Sequence, residues 1–577
     1  MRALLLLGLI FGSFSSCSAA RHDVSGCINI STPLANYSAN SAALQAALDS
    51  ASAAKGCVVV SGGDYPVAPG LFVGSDTHLR LEAGARLVNV VNVTLTAVVH
   101  VRNAQRVLLD GGGTLYGDAE HAWAYFSAGD DRMSPYIDDG STMRTNLLRI
   151  EGSAGVEVRG TLARDFVLSR LLLTRDSLLS ATLLLTSPTR HTRSRLRAFS
   201  SSTYSRLTPL YSPPHFSYLL FESTQVYGLR LHNSTDWTLR MDNSSDLWVE
   251  GVDIYGDSRF PNNDGFDPQS CRNVTLRHSA IDVADDGICP KADKAMGELA
   301  GLYVHNVTIR SKSHAIKFGS NTDATMRDIV FDNITIWDSN GGLSVQQRSE
   351  GDVVNVTWSN IVVETRLQAP RWWGNGEWLG FTNAPRGNGH ATGAVRQHRF
   401  VNISGRSESG GLLSGLSGPV GATDISFENV HITIAAWGNY STGAGPRCYA
   451  TGRVCSNDTG KVPPPPAAGA KCTVPTAGPS GGGAAPGAAI DCMGTRDYRP
   501  TLDTLPAATP PRQRGGDRVP SKADALFLEN VHGVSFKNVT FEFEAPRRPW
   551  FGACLAVDRY TDGVTGADGI KCINGPP

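Results

Sequence analysis

The chain has 577 residues, of which 18% are charged and 61 are glycine, and its formal net charge is −1. The charged share is below the roughly 25% of an average globular protein, and the glycine share is above the usual value of about 7%. Such a balanced charge creates no field that would recruit nucleic acid or an anionic membrane surface, so we expect neither as a partner.

Residues 1–20 have the pattern of a secretory signal peptide. Arg2 precedes an apolar run from Ala3 to Phe11, and small residues follow. Nine apolar residues are too few to span a bilayer, which takes about 20. We therefore expect residues 21–577 to be secreted without a membrane anchor and to act as a monomer.

Ten cysteines remain once Cys17 leaves with the signal peptide. An even number in a secreted chain predicts disulfide bonds, and no C-x-x-C spacing typical of a zinc site competes with that interpretation. The pairing stays open, although Cys27–Cys57 and Cys271–Cys289 would close short loops. Several N-x-S/T sequons predict glycosylation if the host is eukaryotic.

One helix is predicted near the mature N-terminus, and short β runs follow it. Asn40 or Ser41 is the candidate N-cap, and Gly56 ends the helix. Apolar residues recur at i, i+3, i+4 and i+7, namely Leu44, Ala47, Leu48 and Ala51. The β runs include 58–60, 79–81, 107–109, 156–158 and 247–249.

An Asn followed by a short strand rich in β-branched residues recurs along the chain. The phrase begins at Asn273, Asn306, Asn333, Asn355 and Asn538. The first four are 33, 27 and 22 residues apart, which favours coils of a parallel β-helix over propeller blades of about 40–50 residues. The fourth residue of each phrase is apolar, which glycosylation alone would not require. The sequence therefore predicts an all-β solenoid with an Asn ladder at a turn.

Two segments interrupt this pattern. Residues 161–214 belong to a stretch, 161–227, that contains no glycine and no asparagine. We interpret it as a disordered insertion or as non-coding sequence that was translated. The segment at about 440–520 is rich in Pro, Gly and Ala and contains four cysteines, which predicts a long disulfide-tied loop. Strand signals resume at 525–528, so a single β-helix domain is expected to run to the C-terminus.

Acidic residues concentrate in one part of the repeat. Asp264 is followed 21 and 22 residues later by Asp285 and Asp286, and His314 lies 28 residues after that. Neighbouring coils of a parallel stack are about 4.8 Å apart, so these side chains are expected to converge. Carboxylates in such a patch repel, and one is expected to stay protonated near neutral pH. Glycosidases use one protonated carboxyl and one ionised carboxylate to cleave a glycosidic bond.

At these residues the sequence resembles glycoside hydrolase family 28, the polygalacturonase-like pectin hydrolases. The family's Asn-Thr-Asp motif corresponds to residues 262–264, its Asp-Asp motif to 285–286, and its Gly-His-Gly motif to 313–315. The resemblance implies a right-handed parallel β-helix with a short N-terminal helix. It also implies a glycosidase that hydrolyses a pectic cell-wall polysaccharide with inversion and without a cofactor.

The resemblance further implies a role for each catalytic residue. Asp286 would be the general acid, Asp264 and Asp285 would activate the water, and His314 would support the charge network. Stacking on neighbouring coils would also permit the shorter separation of retaining enzymes, so inversion rests on the resemblance alone. Replacing Asp286 by Asn is expected to abolish hydrolysis and leave the fold intact, because it removes one of several repelling charges.

The substrate-binding motif departs from the family pattern. Ser344 and Gln346 stand where the family has the cations of an Arg-Ile-Lys motif, which favours esterified or partly neutral pectic glycans over a free uronate. Lys291, Lys317 and Arg348 are candidates to supply the missing positive charge, and each is interpreted equally well as a solvated surface residue. The remaining candidate substrate-binding residues are Asn262, Asp267, Gln346 and Trp373.

Trp373 belongs to a tryptophan-rich run, residues 371–378. Three tryptophans in a glycine-containing loop would form a platform for sugar faces, or would pack the loop over the solenoid. Two other functions also remain open for the whole chain. A β-helix polysaccharide lyase would use the acidic residues to hold Ca²⁺, and a catalytically inactive solenoid would only bind glycans.

Overall fold

Short parallel strands wind around a buried core in successive coils. The structure is a computed structural model and describes residues 26–90, 96–119, 144–160, 228–258, 260, 262–319, 321–366, 368, 374, 376–383, 392–415, 422–435, 472–473, 489–490, 524–547, 551–558 and 560–575. The predicted signal peptide, the predicted insertion at 161–214 and Trp373 lie outside these residues. The predicted loop at 440–520 does so as well, apart from two dipeptides.

The helix α1 (Tyr37–Ala54) buries the four predicted apolar residues against the first coils. Its N-cap is Asn36, whose Oδ1 accepts a hydrogen bond from the backbone N–H of Ala39 at 2.8 Å. The predicted caps were wrong, because Asn40 is buried and its Nδ2 donates to Pro66 O at 3.0 Å. Among the described residues, no helix is long and apolar enough to cross a membrane.

The described strands are short in the first coils and reach 12 to 14 residues from β17 onward. In chain order they are β1 (Ile28–Ile30), β2 (Cys57–Val60), β3 (Gly63–Val67), β4 (Leu71–Val73), β5 (His78–Leu81), β6 (Ala85–Asn89), β7 (Thr96–Arg102), β8 (Gln105–Gly111), β9 (Thr114–Tyr116), β10 (Thr145–Glu151), β11 (Ala154–Gly160), β12 (Arg230–His232), β13 (Leu239–Asp242), β14 (Ser245–Glu250), β15 (Asp253–Tyr255), β16 (Phe266–Gln269), β17 (Arg272–Val283), β18 (Leu299–Ser311), β19 (His314–Phe318), β20 (Met326–Ser339), β21 (Gly341–Gln347), β22 (Val353–Thr365), β23 (Glu377–Asn383), β24 (Val395–Ser407), β25 (Gly411–Ser414), β26 (Ala422–Ile434), β27 (Cys472–Thr473), β28 (Ala489–Ile490), β29 (Leu526–Glu529), β30 (Val531–Phe543), β31 (Leu555–Val557) and β32 (Lys571–Ile573).

The strands form two long sheets of parallel neighbours. Sheet I runs through β4, β7, β10, β13 and β16 and continues through β19, β21, β23, β25, β29 and β31. Parallel bridges through Ile288 connect its two parts, because Ile288 pairs with both Phe266 and Ile316. Sheet II contains the other strands except β27 and β28, which pair antiparallel with each other. Each coil therefore lies directly on the one before it, and the predicted parallel β-helix is confirmed.

Two rows of residues with positive φ bend the chain within the long strands of sheet II. The first row contains Asn273, Gly301, Asp328, Asn355, Gln397, Asp424 and Gly533. The second row contains His278, Asn306, Asn333, Asn360, Asn402, Asn429 and Asn538. Asn and Gly are the residues that tolerate this left-handed conformation best.

The predicted Asn ladder is confirmed in the second row, but the five repeated phrases are divided between the two rows. Asn273 and Asn355 lie in the first row, and the other three lie in the second. Amides of the second row are hydrogen-bonded from coil to coil, as in Asn429 Nδ2 to Asn402 Oδ1 at 3.0 Å. The rows are five residues apart along the chain, which explains a spacing of 33 across a coil of 28 residues and a spacing of 22 across a coil of 27.

Aromatic side chains stack inside the later coils. Phe331, Trp358, Phe400 and Phe427 occupy equivalent positions on successive strands. Their ring centroids are 4.7 to 5.8 Å apart with interplanar angles of 16° or less, and all four side chains are buried. This apolar interior supports the outward-facing residues of sheet I.

One of the two short-loop disulfide candidates forms. Cys27 and Cys57 are bonded, as are Cys554 and Cys572. The Cys271–Cys289 candidate was wrong, because both thiols are free and buried. In the register of sheet I they lie four positions apart along neighbouring coils, roughly 13 Å at about 3.3 Å per residue. A disulfide requires Cα atoms within about 7 Å.

The described residues on either side of the predicted insertion belong to one coil. Strand β11 pairs with β14, and β12 pairs with β15, so residues 160 and 228–229 fill the place that Gly251 and Val252 fill in the next coil. A Cβ atom added to Gly160 would lie 2.7 Å from the Cα atom of Gly228. The described residues on the two sides of 161–227 therefore meet within one coil.

Deleting residues 161–227 and joining Gly160 to Gly228 is expected to leave a folded protein. The deletion removes no described strand and relieves the entropy of closing a long loop, a term that grows slowly with loop length. Circular dichroism and a thermal melt, with the full chain as the control, are expected to give the same spectrum and a similar Tm. Loss of secretion together with aggregation would show that the segment is part of the core.

Candidate active site

The register of sheet I brings the predicted acidic residues together. Its bridges align Phe266, Ile288 and Ile316, so the residues two positions before them, Asp264, Asp286 and His314, stand in one row. The spacing between neighbours in such a row is about 4.8 Å. The row is extended on one side by Trp237 and on the other by Gly341 and Glu377.

Asp264 and Asp267 share one buried lysine. The Nζ atom of Lys291 lies 3.4 Å from Asp264 Oδ2 and forms a closer ion pair with Asp267 Oδ1. Burial, together with the charges of Asp267 and Asp285, raises the pKa of Asp264 well above its ordinary value. Burial also raises the pKa of Asp267 to about 6, although the lysine opposes the shift. Burial and the neighbouring carboxylates therefore favour the protonated form of Asp264.

Asp285 is fixed by backbone donors. Its Oδ2 accepts from the N–H of Asn262 at 2.9 Å, and its Oδ1 accepts from the N–H of Asp286 at 3.0 Å. Asn263 Oδ1 accepts from the N–H groups of Ala284 and Asp285 and so holds this turn. Burial and the neighbouring charge of Asp286 raise the pKa of Asp285. Asn262 and Asn263 position Asp285 through these bonds.

Asp286 has the opposite electrostatic environment. Lys317 Nζ donates to its Oδ2 at 2.5 Å, and His314 Nδ1 lies 3.6 Å from its Oδ1. Burial alone would raise the pKa of Asp286, but the positive charges of Lys317 and His314 overcome it and hold the pKa below its ordinary value. The pKa values of Asp285 and Asp286 are therefore shifted in opposite directions, although the two residues are adjacent in the chain.

His314 lies between two carboxylates. Besides Asp286, it contacts Glu377 through Nε2 to Oε1 at 3.1 Å. Burial lowers the pKa of His314, but the bonds to these two acids raise it to about 9. Gly341 makes the contact with Glu377 possible, because a Cβ atom at that position would collide with the imidazole Cδ2.

The site contains more acids than cations. Burial raises the pKa values of Asp264 and Asp285, which favours their neutral forms and so reduces the excess of negative charge. Such compensation is what allows ionised groups to be buried. The five acids and three cations are Asp264, Asp267, Asp285, Asp286, Glu377, Lys291, Lys317 and His314.

Replacing Glu377 by Gln is expected to lower the pKa of His314. In the native protein this pKa of about 9 exceeds the usual value near 6.5, so the imidazolium contributes stability that is fully present below about pH 6.5 and is lost as the pH rises through about 9. The variant should lose that contribution at lower pH. An NMR titration of the His314 ring and the dependence of Tm on pH would measure the shift.

The matched control for this prediction is Glu298→Gln, which removes an ion pair with Arg327 on sheet II. It is expected to leave the titration of His314 unchanged. An unaltered His314 titration in the Glu377 variant would contradict the prediction.

The other predicted substrate-binding residues have varied surroundings. Lys291 and Lys317 are buried and ion-paired with aspartates, so neither is a solvated surface residue. Arg348 is buried, and its backbone N–H donates to Thr322 Oγ1 at 3.0 Å. Gln346 is buried as well, and its Oε1 has no hydrogen-bond partner.

Of the tryptophan-rich run, Trp378 is described. It lies in the core and donates through Nε1 to Ala525 O at 3.0 Å, so packing rather than sugar stacking accounts for it. Sequence reasoning missed Glu377 and also Trp237 and Arg240 of the preceding coil. Their position in the register of sheet I was the signal, since each stands in line with a cluster residue.

The acidic residues of the site include potential metal ligands. Among the described residues, one set of potential ligands lies close together, namely Asp264, Asp267 and Cys289. Calcium takes six to eight oxygen ligands, whereas this set offers two carboxylates and a thiol whose pKa is raised by burial. The Lys291 ammonium already contacts both carboxylates. The donor set therefore does not fit calcium.

Comparison with known proteins agrees with this geometry. The family model for glycosyl hydrolases family 28 matches residues 205–370. An endo-polygalacturonase of Pectobacterium carotovorum subsp. carotovorum is 30% identical over 24% of this chain and 35% of its own length. A probable polygalacturonase of Vitis vinifera is 26% identical over 24% of this chain and 29% of its own. The chain thus spans about a third of the length of these curated relatives.

A solved polygalacturonase from Erwinia carotovora ssp. carotovora is 15% identical, with 70% of this chain and 92% of that chain covered at a TM-score of 0.48. The family match spans the aspartates and the histidine that carried the resemblance. That resemblance is confirmed over residues 205–370, which match the family model for glycosyl hydrolases family 28.

Proposed function

We propose that this chain is a secreted, monomeric glycoside hydrolase that cleaves a pectic polysaccharide by inverting acid–base hydrolysis. The observation that carries the proposal is the pair Asp285 and Asp286, two adjacent buried carboxyls whose pKa values are shifted in opposite directions. Groups tuned apart in this way are suited to act as acid and base in one reaction. The names of the relatives support the pectic substrate class, and the inversion rests on the family resemblance alone.

The electrostatics favour a different assignment of the proton donor from the one that the resemblance implied. Lys317 and His314 hold Asp286 ionised, so it is suited to accept a proton from water rather than to donate one. Asp285, with its raised pKa, becomes the general acid that protonates the leaving oxygen. Asp264 lies in the same row and assists in orienting the water, and His314 maintains the charge of Asp286.

Secretion is supported by the N-terminal pattern and by the two disulfide bonds, since such bonds persist in oxidising compartments. A calcium-dependent lyase is less well supported, because a lysine rather than a set of oxygens faces Asp264 and Asp267. A purely glycan-binding solenoid would have no use for two carboxyls tuned apart.

The test is to incubate the purified protein with polygalacturonic acid, methyl-esterified pectin and rhamnogalacturonan. A hydrolase releases reducing ends without a product that absorbs as an unsaturated sugar, and EDTA does not abolish its activity. Ultraviolet-absorbing products that disappear with EDTA would identify a lyase. Binding without release of reducing ends would identify an inactive solenoid.

A further inference from the structure

An arginine with an open donor edge lies one coil before the aspartate cluster, by which we mean Asp264, Asp267, Asp285 and Asp286. Arg240 in β13 is the ladder partner of Asp267 in β16, so their Cα atoms lie about one strand spacing, roughly 4.8 Å, apart. Its Nε donates to Asp242 Oδ2 at 2.8 Å. Within the described part of the chain, no hydrogen bond reaches its Nη1 or Nη2. The two neighbouring donor atoms Nη1 and Nη2 are therefore available to a ligand.

The guanidinium of Arg240 is held in place on two sides. Its Cζ lies 4.8 Å from the ring centroid of Trp237, and Asp242, which is 1% exposed, anchors its Nε. Asp242 also accepts from Arg149 Nε at 3.0 Å, so one carboxylate serves two arginines. The side chain of Arg240 is 17% exposed. It is thus an oriented cation whose Nη1 and Nη2 form no hydrogen bond with the described residues.

The other cations of the site are already engaged. Lys291 and Lys317 form ion pairs with the aspartate cluster. On the opposite side of the cluster, the outward positions of β21 carry the neutral residues Ser344 and Gln346. Ser344 Oγ donates to Gly380 O at 3.0 Å. Arg240 is therefore the better-placed group for recognising an anion beside the reacting centre.

We propose that Arg240, held by Trp237 and Asp242, binds the carboxylate of a uronate unit on the N-terminal side of the aspartate cluster. Two parallel N–H donors match the two oxygens of a carboxylate, and a methyl ester removes the charge that strengthens these bonds. The choice of a uronate rests on the proposed function. This carboxylate-binding site lies on the side of the cluster opposite to Ser344 and Gln346.

The experiment measures binding without turnover. Calorimetry uses a short unesterified oligogalacturonide and its methyl-esterified counterpart, with Asp285→Asn as the background that slows hydrolysis. In that background, Arg240→Gln is expected to weaken binding of the unesterified oligomer roughly tenfold to a hundredfold, the effect of losing a charged hydrogen-bonded partner. Binding of the methyl ester should change less than about threefold. Arg240→Lys keeps the charge but lacks the two parallel N–H donors of the guanidinium. Its affinity for the unesterified oligomer is expected to lie between those of Arg240 and Arg240→Gln.

The matched control is Arg277→Gln. Arg277 also stacks on a tryptophan, Trp248, with its Cζ 4.3 Å from the ring centroid, and it pairs with Glu250 on sheet II. This variant is expected to leave both affinities unchanged. The proposal is overturned if Arg240→Gln and Arg277→Gln have equal effects, or if the ester loses as much affinity as the free uronate. A thermal melt of each variant shows that the comparison is made on folded protein.

This outcome is separable from the outcome of the proposed function. If the wild-type protein releases no reducing ends but still binds the uronate oligomer through Arg240, the proposed hydrolase function is contradicted and the proposed binding site is supported. If the wild type hydrolyses pectic substrates while Arg240→Gln leaves the KM for unesterified substrate unchanged, the proposed binding site is contradicted and the hydrolase function is supported. Absence of any binding of the uronate oligomer to the wild type would also overturn the binding site.

Discussion

Replacing Asp286 by Asn is expected to slow hydrolysis strongly and also to destabilise the fold. The carboxylate neutralises two buried cations, since Lys317 Nζ lies 2.5 Å from its Oδ2 and His314 Nδ1 lies 3.6 Å from its Oδ1. Removing one partner of a buried ion pair leaves an uncompensated charge, at a cost of about 3–5 kcal/mol. Loss of a general base reduces the rate by about a hundredfold to ten-thousandfold. Assays of kcat and urea unfolding would measure the two effects.

A double variant separates these two effects. Combining Asp286→Asn with Lys317→Met removes both charges of the pair, so much of the stability is expected to return. Activity should not return, because the base is still missing. A single variant that kept the wild-type free energy of unfolding would contradict the ion-pair argument, and one that kept activity would exclude Asp286 from the reaction.

This prediction reverses the stability expected from sequence alone. From the sequence we expected several aspartates to lie close together and to repel one another. In the structure, the charges of Lys291 and Lys317 compensate those of the aspartates. Lys291 lies three positions after Ile288 and faces back toward the preceding coil. Recognising it as the partner of Asp264 and Asp267 requires the register between coils, which spacing in the sequence does not provide. The acids were therefore predictable, but their electrostatic environment was not.

The register between coils also limited what the repeated Asn phrases could predict. The phrases that begin with Asn predicted a parallel β-helix because three-residue strands at intervals of 22 to 33 residues suit its coils. Whether Asn273 and Asn306 turn the chain at the same corner depends on strand pairing, and the structure assigns them to different rows. Glu377 was hidden for a related reason. The coil between Gly341 and Glu377 is 36 residues long, so no regular spacing connects it with His314.

Replacing Asp285 by Asn is expected to lower kcat/KM on a natural pectic substrate by about a hundredfold to ten-thousandfold, the contribution of a general acid. The fold should lose about 1–3 kcal/mol of stability, because the Asn retains an acceptor for one of the two backbone N–H groups and leaves the other N–H unsatisfied. Its pKa is raised, so the wild type should lose activity on the alkaline side as Asp285 ionises. That limb should be absent from the variant's profile.

A substrate with a good leaving group identifies the proton donor. A nitrophenyl galacturonide releases nitrophenolate without protonation, so the Asp285→Asn variant is expected to retain most of its activity on it, whereas Asp286→Asn, which lacks the base, should be inactive on both substrates. Lys317 and His314 keep Asp286 ionised, which is why the two adjacent aspartates should differ in this assay. If Asp286→Asn were instead the variant rescued by the activated substrate, the proton would come from Asp286, and the acid assigned to Asp285 would be wrong.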